Sequence, residues 1–174
     1  MFNNFYPDNY IVSTYVIPFD KLYEEGYRAI IFDIDNTLVR HGAPADKRSI
    51  ALFRELRRLG YEIVLLSNND EPRVKMFSDA VGGQYIHKAG KPLVKNYHRA
   101  MEMMGTDTTN TMFVGDQIFT DIWGARSAGI YTWLVRPINK KEEIQIILKR
   151  IPEQWVLACY RRKCRRENRV FLIN

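Results

Sequence analysis

Cysteine is scarce. Two in 174 residues, Cys159 and Cys164, cannot build a disulfide framework, and their separation of five matches none of the common zinc-binding pairings. Free thiols in a reducing compartment are therefore expected. Histidine is nearly as scarce, and the three present, His41, His87 and His98, form no metal-ligand spacing. No apolar run approaches the roughly 18 residues that a bilayer-spanning helix needs. Met1 to Asp8 lack a basic start, reach an acid early and are broken by Pro7, so no secretory signal is expected. Loops of the form G-x-x-x-x-G-K-[ST] or G-x-G-x-x-G are missing, which removes support for those two modes of nucleotide binding. With no repeat, low-complexity tract or Pro/Gly/Ser-rich linker, nothing marks a second globular domain. The expectation is a cytoplasmic protein, with room for peripheral contact at the inner face of the membrane.

What is present fits a globular chain: 46% hydrophobic and 13% aromatic residues. A chain of about 150 residues buries roughly 70% of its unfolded surface, so no structural metal is needed for a core. The 26 Lys and Arg against 20 Asp and Glu give a net charge of +6. That excess is not spread evenly, because residues 1–148 hold 18 basic and 18 acidic side chains while 149–174 hold 8 and 2. A neutral domain over 1–148, including an N-terminal extension, is therefore expected to precede a basic helix or tail over 149–174.

Within the neutral part, strand-like and helix-like runs alternate, and several helical runs close on glycine. A short helix ends near Gly26, and Arg28 to Asp33 reads as a buried strand. A helix over 46–59 stops at Gly60, and Glu62 to Leu66 is a second strand. Helices follow over about 71–81 and 92–104, then strands at Thr111 to Val114 and Ile130 to Val135, with a helix between them ending near Gly129. Strands alternating with helices imply parallel pairing through right-handed crossovers, hence a doubly wound, mainly parallel α/β sheet with helices on both faces. In such sheets ligands sit outside the carboxyl ends of the strands.

Chemistry-bearing residues cluster at those ends. Asp33-Ile-Asp35-Asn-Thr37 follows the first buried strand, and if that strand ran on to Asp35 both carboxylates would point to one side. A turn or helix cap is the plain alternative for such residues. An EF-hand is excluded, because Leu38 takes the required glycine position and Pro44 the bidentate glutamate position. Ser67-Asn68-Asn-Asp70 follows the second strand, Lys91-Pro92 opens a helix, and Gly115-Asp116 through Asp121 follows the third. Singly, each has a bland reading: Ser67 as an N-cap, Lys91 as a solvated charge, Asp116 as a turn residue. Their joint order at successive strand ends favours a site.

Residues 28–135 resemble the haloacid-dehalogenase superfamily, subfamily IIIA type, through Asp33 to Thr37, Ser67, Lys91 and Gly115-Asp116 through Asp121. Lys91-Pro92 and Gly115-Asp-Gln-Ile-Phe-Thr-Asp121 look most like the phosphatidylglycerophosphate-phosphatase-like branch. The resemblance implies a Rossmannoid phosphatase with an aspartyl-phosphate intermediate. It implies Asp33 as nucleophile and Asp35 as acid and then base. It also implies Mg²⁺ held by Asp33, the main-chain carbonyl of Asp35, and Asp116. Ser67, Asn68 and Lys91 would receive the phosphate, Asp121 would orient Lys91 or metal waters, and Thr37 would brace the nucleophile loop. Lys88 rivals Lys91 for the lysine role; Lys91-Pro92 fits the branch pattern, and Pro at a helix's first position would fix the loop. Family relatives that pump ions carry threonine two residues after the nucleophile, so Asp35 implies phosphomonoester hydrolysis.

The 32 residues from Asp35 to Ser67 and the 24 from Ser67 to Lys91 are each used up by one helix and one strand, leaving no room for a cap domain. An open site admits a phosphate on something large, such as a lipid headgroup, a protein side chain or a nucleic-acid end. Trp155 and Tyr160 beside Arg161, Arg162, Lys163, Arg165 and Arg166 suit an anionic membrane, and equally a nucleic acid, over 149–169. The bland alternative is a terminal helix that packs Trp155 on the sheet and leaves its arginines solvated. Phosphatidylglycerophosphate is the first substrate expectation. Nucleic-acid, protein or small-metabolite phosphates, and an RNA- or ribosome-binding module with a secondary phosphatase site, are the rivals. Oligomeric state is open.

Overall fold

The computed structural model describes residues 3–139 and 144–173, the side chains of 144–151 excepted. Six strands form one sheet: β1 (Asn9–Ile11), β2 (Ala29–Phe32), β3 (Glu62–Leu66), β4 (Gln84–Ile86), β5 (Thr111–Gly115) and β6 (Tyr131–Val135). Their order is β1-β6-β5-β2-β3-β4, and every pairing is parallel. The helices are α1 (Phe19–Glu24), α2 (Lys47–Leu59), α3 (Glu71–Val81), α4 (Lys95–Met104), α5 (Trp123–Ser127) and α6 (Ile144–Arg166). The doubly wound class is as expected. Strands β1 and β4 are additions, each only three residues long and so too short to show a period.

Strands covered on both faces read as continuous apolar runs, and the covering layers explain the pattern here. Ile30 and Phe32 of β2 face a layer with Phe19 of α1, Phe53 and Leu56 of α2 and Phe77 of α3. Ala29 and Ile31 face the opposite layer, with Tyr97, Ala100 and Met101 of α4 and Ala125 of α5. Helix α2 shows how local chemistry sets the boundaries. Asp46 accepts the Ser49 N–H at 2.7 Å while Ser49 Oγ accepts the Asp46 N–H at 3.0 Å, a reciprocal cap on the helix's first amides. The helix ends on Gly60 at φ 101°, where a Cβ would come within 2.6 Å of the Tyr23 hydroxyl.

Most boundaries fall within one residue of expectation, and two differences bear on the site. Helix α4 begins at Lys95, and Pro92 lies in the turn before it, after a cis Lys91–Pro92 peptide bond, rather than at the first helical position. Strand β2 ends at Phe32, so Asp35 is not carried on a continuing strand; it makes only an isolated bridge to Val39. One helix fills the interval between β2 and β3, and α3, β4 and α4 fill the one between β3 and β5, so no cap domain is inserted.

The C-terminal segment packs on the body. Val156, Tyr160 and Cys164 form the buried stripe of α6, at the i, i+4, i+8 spacing that keeps side chains on one face, and Val156 joins Ile118, Ile122 and Leu134. Trp155 is 61% exposed, so the alternative in which the terminal helix packs Trp155 on the sheet does not hold. After α6 the chain returns to the sheet edge, where Ile173 bridges Ile11 and its carbonyl accepts the Val12 N–H at 3.0 Å. The N-terminal extension is tied down by Asp8, which accepts the Thr132 N–H at 2.8 Å and pairs with Arg126. Met1, Phe2, Asn174 and the side chains of Lys149 and Arg150 lie outside the described residues. Among the described residues no helix is long and apolar enough to cross a membrane.

Candidate active site

Strand order decides where a ligand crevice opens. From β2 the chain moves to β3 and β4, then crosses back to β5 and β6 on the other side, so the order reverses between β2 and β5. Loops leaving the carboxyl ends diverge at such a point. Asp33 leaves β2 there with its N–H donating to the Val114 carbonyl of β5 at 3.0 Å, and Asp116 leaves β5 beside it. Asp33, Asp35, His41, Ser67, Asn68 and Lys91 line one cleft with Gln117 and Thr120. His41 thus borders the cleft, whereas the His87 ring lies beside Tyr85.

Lys91 is the centre of the cluster. Its Nζ donates to Asp33 Oδ1 and to Asp121 Oδ1, both at 2.7 Å, and its side chain is 3% exposed. Lys88, the alternative, is a surface residue whose Nζ lies 3.3 Å from Asp70. Asn68 clamps the Lys91 loop: its Oδ1 accepts the Lys91 N–H at 2.8 Å and its Nδ2 donates to the Lys91 carbonyl at 3.3 Å. The side chain of Asn68 is therefore engaged on the Lys91 backbone, at the wall of the same cleft. Ser67 Oγ accepts the Asn69 N–H at 3.2 Å. Thr37 Oγ1 stands 3.2 Å from Asp33 Oδ2 and 3.4 Å from Asp116 Oδ1, bridging the first and fourth segments.

Asp121 rides on a π-helical turn, Ile118–Ile122, a geometry that concentrates at functional sites. Its second oxygen accepts the N–H groups of Asp116 at 3.2 Å and Gln117 at 3.0 Å. Such closeness needs glycine at 115, where a Cβ would lie 2.6 Å from Asp121 Oδ2. Tyr97 of α4 donates its hydroxyl to the Thr120 carbonyl at 2.8 Å and holds the turn from below.

Burial and charge act against each other here. Burial pushes the Asp33 carboxyl up to about 6, against the pull of the Lys91 ammonium; the Asp121 and Asp35 carboxylates push the same way as burial. For Lys91 burial alone would lower the pKa, but Asp121 and Asp33 outweigh it and hold the ammonium above the ordinary lysine range. Asp33, Asp116 and Asp121 each place an oxygen within 4.8 Å of the others. Three buried carboxylates facing one buried ammonium leave negative charge that suits a hard divalent cation. Both oxygens of Asp121 are already committed to Lys91 and to amide N–H groups, which favours Asp33 and Asp116 as the ligands.

Asp35 stands apart from that trio. Its Oδ1 accepts the Gly42 N–H at 2.7 Å and Arg73 Nη2 at 2.8 Å, and its Oδ2 accepts Asn69 Nδ2 at 2.6 Å. Sequence reasoning missed Asn69, Arg73, Tyr97 and Glu153, all with contacts to this region. Asn69 adjoins Ser67 and Asn68 and was within reach of the motif. Arg73 looks like any helix-surface arginine, and Tyr97 and Glu153 come from elements distant in sequence, so no local signal marks them.

The haloacid dehalogenase-like hydrolase family matches residues 43–129, a stretch with Ser67, Lys91, Asp116 and Asp121 but not Asp33 or Asp35. The chain is 36% identical over 160 residues to the probable phosphatase YqeG of Bacillus subtilis (strain 168), covering 91% of this chain and 93% of that protein. It is 27% identical over 148 residues to phosphatidylglycerophosphate phosphatase 1, chloroplastic/mitochondrial, of Arabidopsis thaliana, covering 75% of this chain and 40% of that longer protein. Among solved structures, the cobalt-bound deoxy-D-mannose-octulosonate 8-phosphate phosphatase (YrbI) of Haemophilus influenzae superposes with a TM-score of 0.53 at 17% identity, covering 65% of this chain and 70% of that one. An uncharacterized protein of Listeria monocytogenes serotype 4b gives 0.52 at 16% identity, covering 67% and 86%. At those identities the structural likeness is one of fold. The similarity to YqeG runs along nearly the whole chain and agrees with the matched stretch, so the chain belongs to the haloacid dehalogenase-like hydrolase family.

Proposed function

We propose that this protein is a Mg²⁺-dependent phosphomonoesterase with Asp33 as its nucleophile, acting on phosphatidylglycerophosphate or a phosphate ester of similar bulk. The observation that carries the reading is the 2.7 Å contact between the buried Lys91 ammonium and the Asp33 carboxylate at the switch point of the sheet, with Asp35 in the same cleft. Phosphoryl transfer asks a protein chiefly for positioning and for charge against the phosphoryl oxygens.

In the first step an Asp33 oxygen attacks phosphorus. The bond from phosphorus to the alcohol breaks, its electron pair stays on the alcohol oxygen, and Asp35 delivers a proton there. In the second, water attacks the phosphorus of the aspartyl phosphate, its proton passes to Asp35, and the bond to Asp33 breaks to free inorganic phosphate. The Ser67 hydroxyl, the loop at Asn68 and the Lys91 ammonium receive phosphoryl oxygens, and Asp121 keeps Lys91 in place. Asp33, Asp116 and the main-chain carbonyl of Asp35 would hold Mg²⁺, which when bound adds positive charge against the phosphoryl group.

Lack of a cap keeps the cleft open, which supports a bulky leaving group. Exposed Arg161, Arg162, Arg165 and Arg166 near the exposed Trp155 support docking of α6 on an anionic membrane. The test is a panel of aryl phosphate, phosphatidylglycerophosphate, phosphorylated oligonucleotide, phosphopeptide and sugar phosphate, each with Mg²⁺ and with chelator. Highest kcat/KM on the lipid phosphate, lost with chelator, supports the reading; a soluble metabolite turned over far faster overturns the substrate assignment. Cosedimentation with anionic vesicles should fall when the four arginines are neutralised.

A further inference from the structure

Three donors from three separate segments converge on one carboxylate. Gly42 in the loop after β2, Asn69 after β3 and Arg73 in the first turn of α3 reach Asp35 at 2.7, 2.6 and 2.8 Å. An aspartate on an irregular loop has two free side-chain torsions, and three fixed donors remove both of them. The guanidinium is a poor choice for packing alone. Among the described residues its buried Nε and Nη1 have no hydrogen-bond partner, and its ring contact with Phe77 is a distant 5.9 Å. Unpaired buried N–H groups are destabilising, and an aliphatic side chain of similar length would fill this space without them.

We propose that Arg73 is a positioning residue for Asp35: with Asn69 and the Gly42 N–H it forms a cradle that aims the Asp35 carboxyl at the leaving-group oxygen. The inference rests on the phosphatase reading above. Proton delivery matters most when the departing alcohol is a poor leaving group and least when it is a stabilised phenolate, because general acid catalysis scales with the basicity of the group that receives the proton. A fault in the cradle therefore shows as a changed preference between leaving groups. A fault that merely loosens the fold lowers all substrates by one factor.

The experiment compares kcat/KM, which covers the steps up to alcohol release, for an alkyl phosphate and for p-nitrophenyl phosphate at saturating Mg²⁺. The proteins are wild type, Arg73→Met, Arg73→Lys and Asn69→Ala. Arg73→Met keeps the length of the stem and removes the donors. It should lower the alkyl-to-aryl ratio of kcat/KM at least tenfold, Asn69→Ala should move the ratio the same way, and Arg73→Lys should recover part of it. Equal losses on both substrates, or an unchanged ratio in Arg73→Met, overturn the positioning role while leaving the phosphatase reading intact. A wild type inert on both substrates overturns the phosphatase reading and the cradle with it.

Discussion

The carboxylate of Glu153 on α6 accepts the backbone N–H of Ile118 at 2.7 Å, and the Glu153 side chain is buried. Ile118 opens the π-helical turn that carries Asp121, and the first amides of a helical turn have no partner inside it. The basic C-terminal segment thus supports the fourth motif. Glu153→Ala leaves a buried N–H unpaired and should cost about 1–3 kcal/mol. Turnover should fall as well, through Asp121, while Glu153→Gln, which keeps an acceptor, should retain most of both. Urea denaturation and kcat on an aryl phosphate check this; full stability in Glu153→Ala contradicts it.

The two candidate lysines separate cleanly by environment. Lys91→Met removes the buried partner of two carboxylates, and turnover should drop by at least a hundredfold, on the order of losing a major electrostatic contact to the transition state. Lys88→Met changes an exposed residue and should leave kcat within about twofold, as surface changes commonly do. Steady-state kinetics of the two variants side by side is the measurement, and comparable losses would contradict the assignment of Lys91.

Stability of the metal-free protein should fall with rising pH because of Asp33. The unfolded carboxyl titrates near 3.8, whereas the folded one is raised to about 6 by burial. Between those values the folded state binds more protons than the unfolded state, so the contribution is full below pH 4 and lost as pH rises through about 6. At 1.36 kcal/mol per unit the loss is about 3 kcal/mol. Asp33→Asn does not titrate, so the difference between wild type and variant in chelator, followed by denaturation from pH 4 to 7, isolates this group. A flat difference contradicts the buried-carboxylate account.

Gly115→Ala tests the approach of Asp121 to the end of β5. The new Cβ would meet Asp121 Oδ2 at 2.6 Å and its Cγ at 2.7 Å, so the aspartate must shift. Kinetics should show a fall in kcat of about tenfold or more, since a displacement near 1 Å costs on that scale or above in a positioned site. Unaltered kcat would mean that Asp121 does not hold Lys91 for catalysis.

Legibility in the sequence follows signal length. Helix α3 is read at its observed limits, 71–81, because one turn signal and one C-capping glycine bracket an apolar period. Helix α4 is read three residues too early, because Pro92 mimics a helix start while occupying a turn. Trp155 departs from the usual burial of large aromatics, and the stripe that is buried, Val156, Tyr160 and Cys164, is marked in the sequence only by its i, i+4, i+8 spacing. Asp33, Ser67, Lys91, Asp116 and Asp121 are legible as a group because each follows a readable strand or opens a loop. Arg73, Tyr97 and Glu153 are not, because their meaning lies in what the fold brings to them across space.

Turnover of p-nitrophenyl phosphate by wild type, Asp33→Asn and Asp35→Asn under Mg²⁺ tests the central claim most directly. Wild type should hydrolyse the ester, Asp33→Asn should be inactive while remaining folded by circular dichroism, and Asp35→Asn should be severely slowed. Wild-type rates from Asp33→Asn would contradict the account, because no other residue is assigned to attack phosphorus.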